Sequence, residues 1–456
     1  YKFPLQRITV NLAPADIKKE GSHFDLPIAL GILAATEQAP IEALMNTYFV
    51  GELSLKGDLR KANGILPMAL SLKENAGDST LVVPRDNGPE ASLVQDLKII
   101  PTQSLGELVR FFKGEEDLKS EDGALNLEKY FSDHAAGSVP DMIDVKGQEG
   151  AKRALEIAAA GGHNILMMGS PGSGKTMLAR RLPGILPPMA MEEIFESTKI
   201  YSVAGILDYD TPLVVERPFR APHHTASAAS IIGGGQIPKP GEVSLSNNGV
   251  LFLDEFPEFR RDVIEALRQP LEEKNITIAR AAATLTFPAN FIFAAAMNPC
   301  PCGFLNDEKT ECLCTPFQIQ RYKNKISGPI LDRIDIHIHV PRLNYTDISE
   351  SRTGENSATI KKRVLHARET QKERYKEHNV LTNSALEGNL LGTYCPISSD
   401  ARGLLEKAFD NLGLSMRALN KILKVSRTIA DLEGEAKIGL PHVAEAIQLR
   451  FFDRKV

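Results

Sequence analysis

The chain has 456 residues, a length that predicts two to four domains with sizeable hydrophobic cores. Its formal net charge of −5 excludes a surface that is basic throughout, so any contact with nucleic acid must be made by a local patch. No apolar run is as long as a membrane span and no signal peptide is recognisable, so we expect a cytoplasmic protein that has no membrane partner. The chain begins at Tyr1, directly in a β-like run, and we expect its natural N-terminus to lie further upstream.

We predict a first domain over residues 1–113, a linker over the polar and acidic residues 114–140, an α/β core over 141–343 and a largely helical domain over 344–456. Strands and helices alternate in the core, which is typical of a parallel sheet. The first domain also combines both kinds of run, with strands expected at 7–12, 80–83 and 97–100 and helices at 26–36 and 64–75.

A phosphate-binding pattern, G-x-x-x-x-G-K-T, follows the apolar run 164–168 near the start of the core. It consists of Gly169, Ser170, Pro171, Gly172, Ser173, Gly174, Lys175 and Thr176. In such a loop the backbone N–H groups converge on the β-phosphate, Lys175 adds positive charge toward the β/γ oxygens and the Thr176 hydroxyl can bind Mg²⁺. The helix that follows turns its N-terminus to the phosphates. The sequence therefore predicts a site for a nucleoside triphosphate.

Two more apolar strands end in polar side chains. Residues 250–253 precede two carboxylates, of which Asp254 is suited to hold Mg²⁺ and Glu255 to orient or activate the attacking water. Residues 291–297 precede Asn298, which suits either a hydrogen bond to that water or a turn before the following proline. Ligands bind at the carboxyl ends of parallel strands, so we expect these side chains to lie near the phosphate loop.

Four of the five cysteines form the pattern C-x-C, nine residues, C-x-C, and they are Cys300, Cys302, Cys312 and Cys314. Their number and spacing favour a reducing compartment and a tetrahedral structural zinc ion over a disulfide framework. The residues between the two pairs are polar, so ordinary core cysteines are not expected there. Free or redox-active thiols remain the alternative. Cys395 stands apart and is predicted to pack in a core.

The order of four segments resembles that of AAA+ ATPases: the phosphate loop, Leu-Phe-Leu-Asp-Glu-Phe at 251–256, Ala-Ala-Met-Asn-Pro-Cys at 295–300 and Ile-Leu-Asp-Arg-Ile-Asp at 330–335. Arg-Pro-Phe-Arg-Ala-Pro-His-His at 217–224 and Ser-Met-Arg-Ala-Leu-Asn at 415–420 are similar to the magnesium-chelatase-like ComM/YifB family in particular. The resemblance covers essentially the whole chain. It implies ATP and Mg²⁺ as cofactors and an AAA+ core with a helical C-terminal lid.

The same resemblance implies roles for three further residues: Asn298 as sensor 1, Arg333 as the arginine finger and Arg417 as sensor 2. An arginine supplied by a neighbouring subunit neutralises charge on the transferred phosphoryl group, so these roles imply a homo-oligomer, and the family pattern implies a hexameric ring. From the residues alone, a salt bridge from Arg333 to Asp332 or Asp335 is an equally good interpretation.

The sequence does not decide the role of two features, the histidine pair and a predicted hairpin. His223 and His224 belong to the family motif, which assigns them to the nucleotide or intersubunit region; a buried, hydrogen-bonded loop is the alternative. Residues 276–287 predict two short strands around a turn of small residues. By resemblance to replicative helicases such a hairpin projects into the pore of the ring, where Arg280 would contact DNA phosphates; an exposed arginine on an edge hairpin is the alternative.

Residues 8–16, 19–26 and 51–57 resemble a Lon-protease-type α+β domain with a ribosomal-S5-like fold. The Gly-Pro-Ser-Ala-Gly signature of the peptidase is absent, Pro67 stands where its lysine is expected and Ser22 has no evident base. We therefore expect an N-terminally truncated, non-proteolytic module.

The resemblance as a whole implies an ATP-driven motor on single-stranded or branched DNA, similar to a branch-migration helicase used in natural transformation and recombination. A chelatase-type ATPase that remodels a protein partner is the alternative. A Lon-like protease has less support, because the Ser/Lys pair is missing.

Overall fold

A computed structural model describes residues 1–13, 19, 21–119, 130, 139–235, 238–279, 284–307, 309–344 and 354–450. Within these ranges the chain divides into two compact units. The first comprises the described residues of 1–130 together with 190–215, and the second comprises 139–189, 216–279 and the described residues from 284 to 450.

The helices and strands are numbered in chain order. The helices are α1 (Asp25–Ala35), α2 (Ile65–Ala76), α3 (Gly88–Ala91), α4 (Leu105–Phe112), α5 (Glu149–Gly161), α6 (Lys175–Ala179), α7 (Leu182–Ile185), α8 (Met191–Ala204), α9 (Ala228–Ile232), α10 (Glu242–Leu245), α11 (Arg261–Ala266), α12 (Arg268–Glu273), α13 (Pro316–Lys323), α14 (Gly328–Leu331), α15 (Ser357–Arg374), α16 (Asn389–Tyr394), α17 (Ser399–Leu412), α18 (Met416–Leu432) and α19 (Leu440–Gln448). The strands are β1 (Thr47–Phe49), β2 (Glu52–Leu53), β3 (Leu59–Arg60), β4 (Thr80–Pro84), β5 (Lys98–Thr102), β6 (Ile165–Met168), β7 (Phe219–Arg220), β8 (Gly233–Gly234), β9 (Lys239–Pro240), β10 (Val250–Leu253), β11 (Asn275–Ala279), β12 (Thr284–Pro288), β13 (Ile292–Met297) and β14 (Ile336–His339).

The first unit contains a three-stranded parallel sheet with the order β1–β4–β5. Leu26, Leu30 and Leu33 share one face of α1 and are buried, as expected of a helix whose apolar face packs on a core. The predictions that correspond to α1, α2, β4 and β5 are confirmed. The strand predicted at 7–12 is wrong, because these residues are exposed and pair with no described strand that could satisfy their backbone groups.

Residues 190–215 lie within the α/β core in sequence but group with the first unit by their contacts. Their helix α8 packs against α2, and the N–H of Gly64 donates to the carbonyl oxygen of Ser202 at 3.0 Å. The buried carboxylate of Glu90 accepts hydrogen bonds from the N–H of Leu66, at 2.9 Å, and from the Ser202 hydroxyl. Hydrogen bonds between buried groups therefore hold this part of the chain in the first unit.

The second unit contains a five-stranded parallel sheet with the order β14–β6–β13–β10–β7. Strands β6, β10 and β13 are buried along their whole length, as expected when both faces of a parallel sheet are covered. Because the strands are parallel, their carboxyl ends lie at one edge of the sheet. That edge carries three of the segments predicted to bind nucleotide.

Helices α15 to α19 share a hydrophobic core with this sheet. Ile422, Val425 and Ile429 lie on one face of α18 and are almost completely buried, and Val443 of α19 joins them. The predicted α/β class with a parallel core and a helical C-terminal region is confirmed. Among the helices of the described ranges, none combines the length and the apolar character that a membrane span needs.

Candidate nucleotide site

The phosphate loop joins the end of β6 to the start of α6, and its lysine is folded into it. The Nζ atom of Lys175 donates to the carbonyl oxygens of Gly169 at 2.7 Å and Ser170 at 3.0 Å, and the residue is only 7% exposed. Burial lowers the pKa of Lys175, and the carboxylates of Asp254 and Glu255 oppose this shift. A cation held so close to the loop is placed to meet a ligand that brings negative charge.

Three glycines give the loop its shape. Gly172 and Gly174 have φ angles of 77° and 91°, a region that favours glycine over other residues. A Cβ atom on Gly169 would lie 2.3 Å from the carbonyl oxygen of Val340, so the backbone at this position approaches the segment after β14 too closely for a side chain. The glycines of the sequence pattern are therefore required by backbone geometry.

Thr176 and Asp254 come together across the edge of the sheet. The Thr176 hydroxyl, in the first turn of α6, donates to Oδ2 of Asp254, directly after β10, at 2.6 Å. A hydroxyl and a carboxylate offer the hard oxygen ligands that Mg²⁺ prefers, and this ion usually takes only one or two carboxylates plus substrate phosphates. The pair fits the predicted Mg²⁺ position.

Glu255 has a left-handed backbone, with φ of 51°, and its side chain is 54% exposed. Its Oε2 atom lies 3.1 Å from Nδ1 of His224, whose ring is 4.1 Å from that of His223, measured between centroids. His223 is exposed and His224 partly exposed, so the alternative of a buried loop is wrong. The sequence motif identified the two histidines but gave them no specific role. In the structure, His224 contacts the predicted catalytic carboxylate of Glu255.

Asn298, directly after β13, also lies at this edge. Its Oδ1 atom is 3.4 Å from Nζ of Lys175. The parallel sheet therefore brings together five of the predicted side chains from three segments of the chain: Lys175, Thr176, Asp254, Glu255 and Asn298.

Arg333 and Arg417 have other partners. The Arg333 guanidinium pairs with Glu272, and its side chain is 11% exposed, so neither of the two salt bridges considered from the sequence is the one observed. Arg417 is 72% exposed and lies 3.5 Å from Asp332. Within the described ranges, no hydrogen bond or ion pair joins either arginine to the phosphate loop of its own chain.

The four clustered cysteines bring their sulfur atoms to within 4.8 Å of one another. The Sγ–Sγ distances among Cys300, Cys302 and Cys312 are 3.4, 3.6 and 3.7 Å, and sulfurs bound tetrahedrally to zinc at about 2.3 Å lie about 3.8 Å apart. A hydrogen bond from the Phe304 N–H lowers the pKa of Cys302 to about 6, whereas burial and the neighbouring thiols raise the pKa of Cys312 to about 12 and also raise that of Cys314. Cys395, by contrast, is buried elsewhere, as predicted, and burial raises its pKa to about 12.

Two remaining predictions concern the hairpin and the first unit. Strands β11 and β12 pair antiparallel, as predicted, but Arg280 lies outside the described residues. In the first unit the Ser22 hydroxyl donates to the carboxylate of Glu52. Its hydrogen-bond partner among the described residues is therefore an acid and not the lysine base that the peptidase mechanism requires.

Comparisons with known proteins agree with these motifs. A family model described as magnesium chelatase, subunit ChlI, matches residues 141–348, that of its C-terminal part matches 354–450, and a third, described as subunit ChlI of Mg-chelatase, matches 1–87. Competence protein ComM of Haemophilus influenzae is 47% identical over 453 residues, which cover 99% of this chain and 86% of the relative. The uncharacterized protein YifB of Escherichia coli is 42% identical, covering 100% of this chain and 87% of the relative.

A more distant similarity extends to a eukaryotic protein. DNA replication licensing factor mcm5 of Dictyostelium discoideum is 23% identical over 366 residues, which cover 67% of this chain and 45% of that protein. The motifs, the parallel core and the full-length matches lead to one conclusion. The chain belongs to the ComM/YifB family of magnesium-chelatase-like AAA+ ATPases.

Proposed function

We propose that this AAA+ ATPase is a DNA motor similar to a branch-migration helicase, acting on single-stranded or branched DNA as a hexameric ring. The observation that carries the motor part is the edge of the sheet, where Lys175, Thr176, Asp254, Glu255 and Asn298 converge. The names of the relatives, a competence protein and a DNA replication licensing factor, support DNA as the substrate. A role in natural transformation and recombination accords with the first of these names.

The geometry supports a division of labour in ATP hydrolysis. Lys175 would neutralise charge on the β/γ oxygens, and Thr176 with Asp254 would hold Mg²⁺, which would supply further charge neutralisation. Glu255 would orient the attacking water and accept its proton, because its carboxylate is exposed and directly follows Asp254 after β10. His224 keeps that carboxylate in place through the 3.1 Å contact. Asn298 is close enough to Lys175 to contact the γ-phosphate or the water.

The direct test of the DNA proposal is the rate of ATP hydrolysis with and without DNA. We expect single-stranded or branched DNA to raise the rate severalfold, and duplex DNA of the same length to raise it less. The chelatase-type alternative, which the ChlI family models favour, predicts no dependence on DNA and stimulation by a protein partner instead. A rate that no DNA changes, measured at low salt where phosphate contacts are strongest, would contradict the DNA motor.

We also propose that the four clustered cysteines bind one structural zinc ion per chain. Elemental analysis of freshly purified, untagged protein should return about one zinc per chain, since four thiolates complete a tetrahedral site. Cys312→Ser should lower this ratio, whereas Cys395→Ser, which changes a cysteine outside the cluster, should not. Protein that contains no zinc while all four thiols are reduced and free would refute the site.

A further inference from the structure

The cysteine cluster is connected to the phosphate loop by its own chain segment. The segment 298–307 contains Cys300 and Cys302 and begins at Asn298, whose Oδ1 atom lies 3.4 Å from Nζ of Lys175. Two further contacts join the same segment to the loop, at Pro171 and at Ser170. They involve residues that the proposed hydrolysis of ATP does not use.

The first of these contacts is backbone packing at Gly303. This residue has a φ of 87°, and a Cβ atom on it would lie 2.6 Å from Cδ of Pro171, so only glycine allows the segment to lie flat against the proline ring. The N–H of Gly303 donates to the carbonyl oxygen of Cys300 at 3.0 Å, which closes a turn over residues 300–303. This turn contains the first two cysteines.

The second contact is a nearly buried carboxylate. The side chain of Asp307 is 2% exposed, and its interaction with the Ser170 hydroxyl is the main reason that the pKa of Asp307 is lowered. The same carboxylate accepts the N–H groups of Lys309 and Thr310 at 3.0 Å and lies 4.0 Å from the Arg342 guanidinium. Asp307 thus ties the cysteine segment to the phosphate loop and to the chain after β14.

Apolar packing contributes little to holding the segment between the cysteine pairs. Phe304 and Leu305 in this segment are only partly buried, and Leu313, inside the second pair, is 85% exposed. A segment without a hydrophobic core of its own needs a cross-link to keep one conformation, and four thiolates on one metal ion supply it.

We propose that the cysteine site is a positioning element of the nucleotide site: a tetrahedral metal ion in it holds segment 298–307 against the phosphate loop and thereby sets the affinity for nucleoside triphosphate. This proposal rests on the proposed function. It assigns Asp307 and Gly303 as positioning residues, because each acts through a residue of the phosphate loop, Ser170 or Pro171. If the cysteine site served only contacts between subunits, loss of its metal ion would leave the affinity for nucleotide unchanged.

The experiment measures the affinity of the full chain for a fluorescent ATP analogue with Mg²⁺, before and after removal of zinc by a zinc-selective chelator. Removal of zinc should weaken binding about tenfold or more, the effect of losing one hydrogen bond to a charged group, and added zinc should restore it. Cys312→Ser should reproduce the loss, and Cys395→Ser should bind as the unchanged protein does. Unchanged affinity after complete loss of zinc overturns the proposal.

A second pair of variants tests the link without touching a cysteine. Asp307→Asn and Ser170→Ala should each weaken nucleotide binding, and the double variant should be no weaker than the stronger single one, because both weaken the same interaction between the carboxylate and the hydroxyl. Asp410→Asn, at an exposed position of α17, is the matched control. The KM for ATP should rise while kcat at saturating ATP stays within about twofold, since Glu255 is unaltered. A fall in kcat with unchanged KM would point to general loss of folded protein and overturn the positioning role.

Failure of this inference and failure of the proposed function give different results. If Lys175→Ala binds the analogue normally, the nucleotide site itself is misassigned and the inference falls with it. If Lys175→Ala loses binding but the zinc-free protein keeps it, the nucleotide site stands and only the positioning role of the cysteine site is overturned.

Discussion

Lys175→Ala is expected to abolish nucleotide binding, whereas Glu255→Gln is expected to keep binding and to slow hydrolysis by about 10² to 10⁴-fold. The two residues act at different stages. The buried Lys175 ammonium, bonded to Gly169 and Ser170, supplies the charge that compensates the phosphates, so the site loses affinity without it. Glutamine at 255 retains the size of the side chain but cannot accept a proton from water. Binding of a fluorescent ATP analogue and the steady-state rate of phosphate release measure the two effects.

Matched controls for these variants are available at the C-terminal end of α15 and directly after it. Lys376 and Glu373 form an exposed ion pair, with side chains 61% and 75% exposed, and such pairs contribute little to stability. Lys376→Ala and Glu373→Gln should therefore leave both binding and hydrolysis unchanged. Normal hydrolysis by the Glu255→Gln protein would remove the catalytic role from this carboxylate.

Mixtures of Arg333→Ala chains with Glu255→Gln chains are expected to recover ATPase activity that neither variant has alone. In the trans arrangement implied for an AAA+ ring, Arg333 of one subunit completes the nucleotide site of its neighbour, and such an arginine contributes about 10³ to 10⁵-fold to the rate. A mixed interface can join an intact Arg333 to an intact Glu255. Equal mixing into rings whose sites act independently should restore about a quarter of the unmodified rate, because one interface in four combines both intact residues.

The observed contact of Arg333 adds a condition to this test. Within its own chain the guanidinium is paired with Glu272, so engagement with a neighbouring nucleotide must exchange this carboxylate for phosphate oxygens. Glu272→Gln should keep its activity, since it removes the competing partner and not the finger. ATP should also promote assembly, because a nucleotide that is part of the interface stabilises the assembled state. Inactive mixtures in which mixed oligomers are demonstrated, together with normal hydrolysis by Arg333→Ala, would contradict the trans role.

Much of the nucleotide site could be predicted because its signals are local. A short, continuously apolar run is typical of a buried parallel strand, and β6, β10 and β13 all follow this pattern. The phosphate loop follows β6, and the polar residues Asp254 and Asn298 directly follow β10 and β13. The glycines of the phosphate loop are required by φ angles and close approaches at their own positions. The failed strand at 7–12 shows the limit of the same reasoning, since alternation of apolar residues does not supply a pairing partner.

The sequence by itself therefore determined the chemistry of the candidate site: which carboxylates, which lysine and which four thiols have the composition and spacing for nucleotide and metal. Tertiary structure alone decided which of them meet other groups, as in the contacts of His224 with Glu255, Asp307 with Ser170 and Glu272 with Arg333. The members of these three pairs lie between 31 and 137 residues apart along the chain. Local periodicity and turn chemistry carry no information over such distances, because these contacts are set by strand order and by the packing of helices on the sheet.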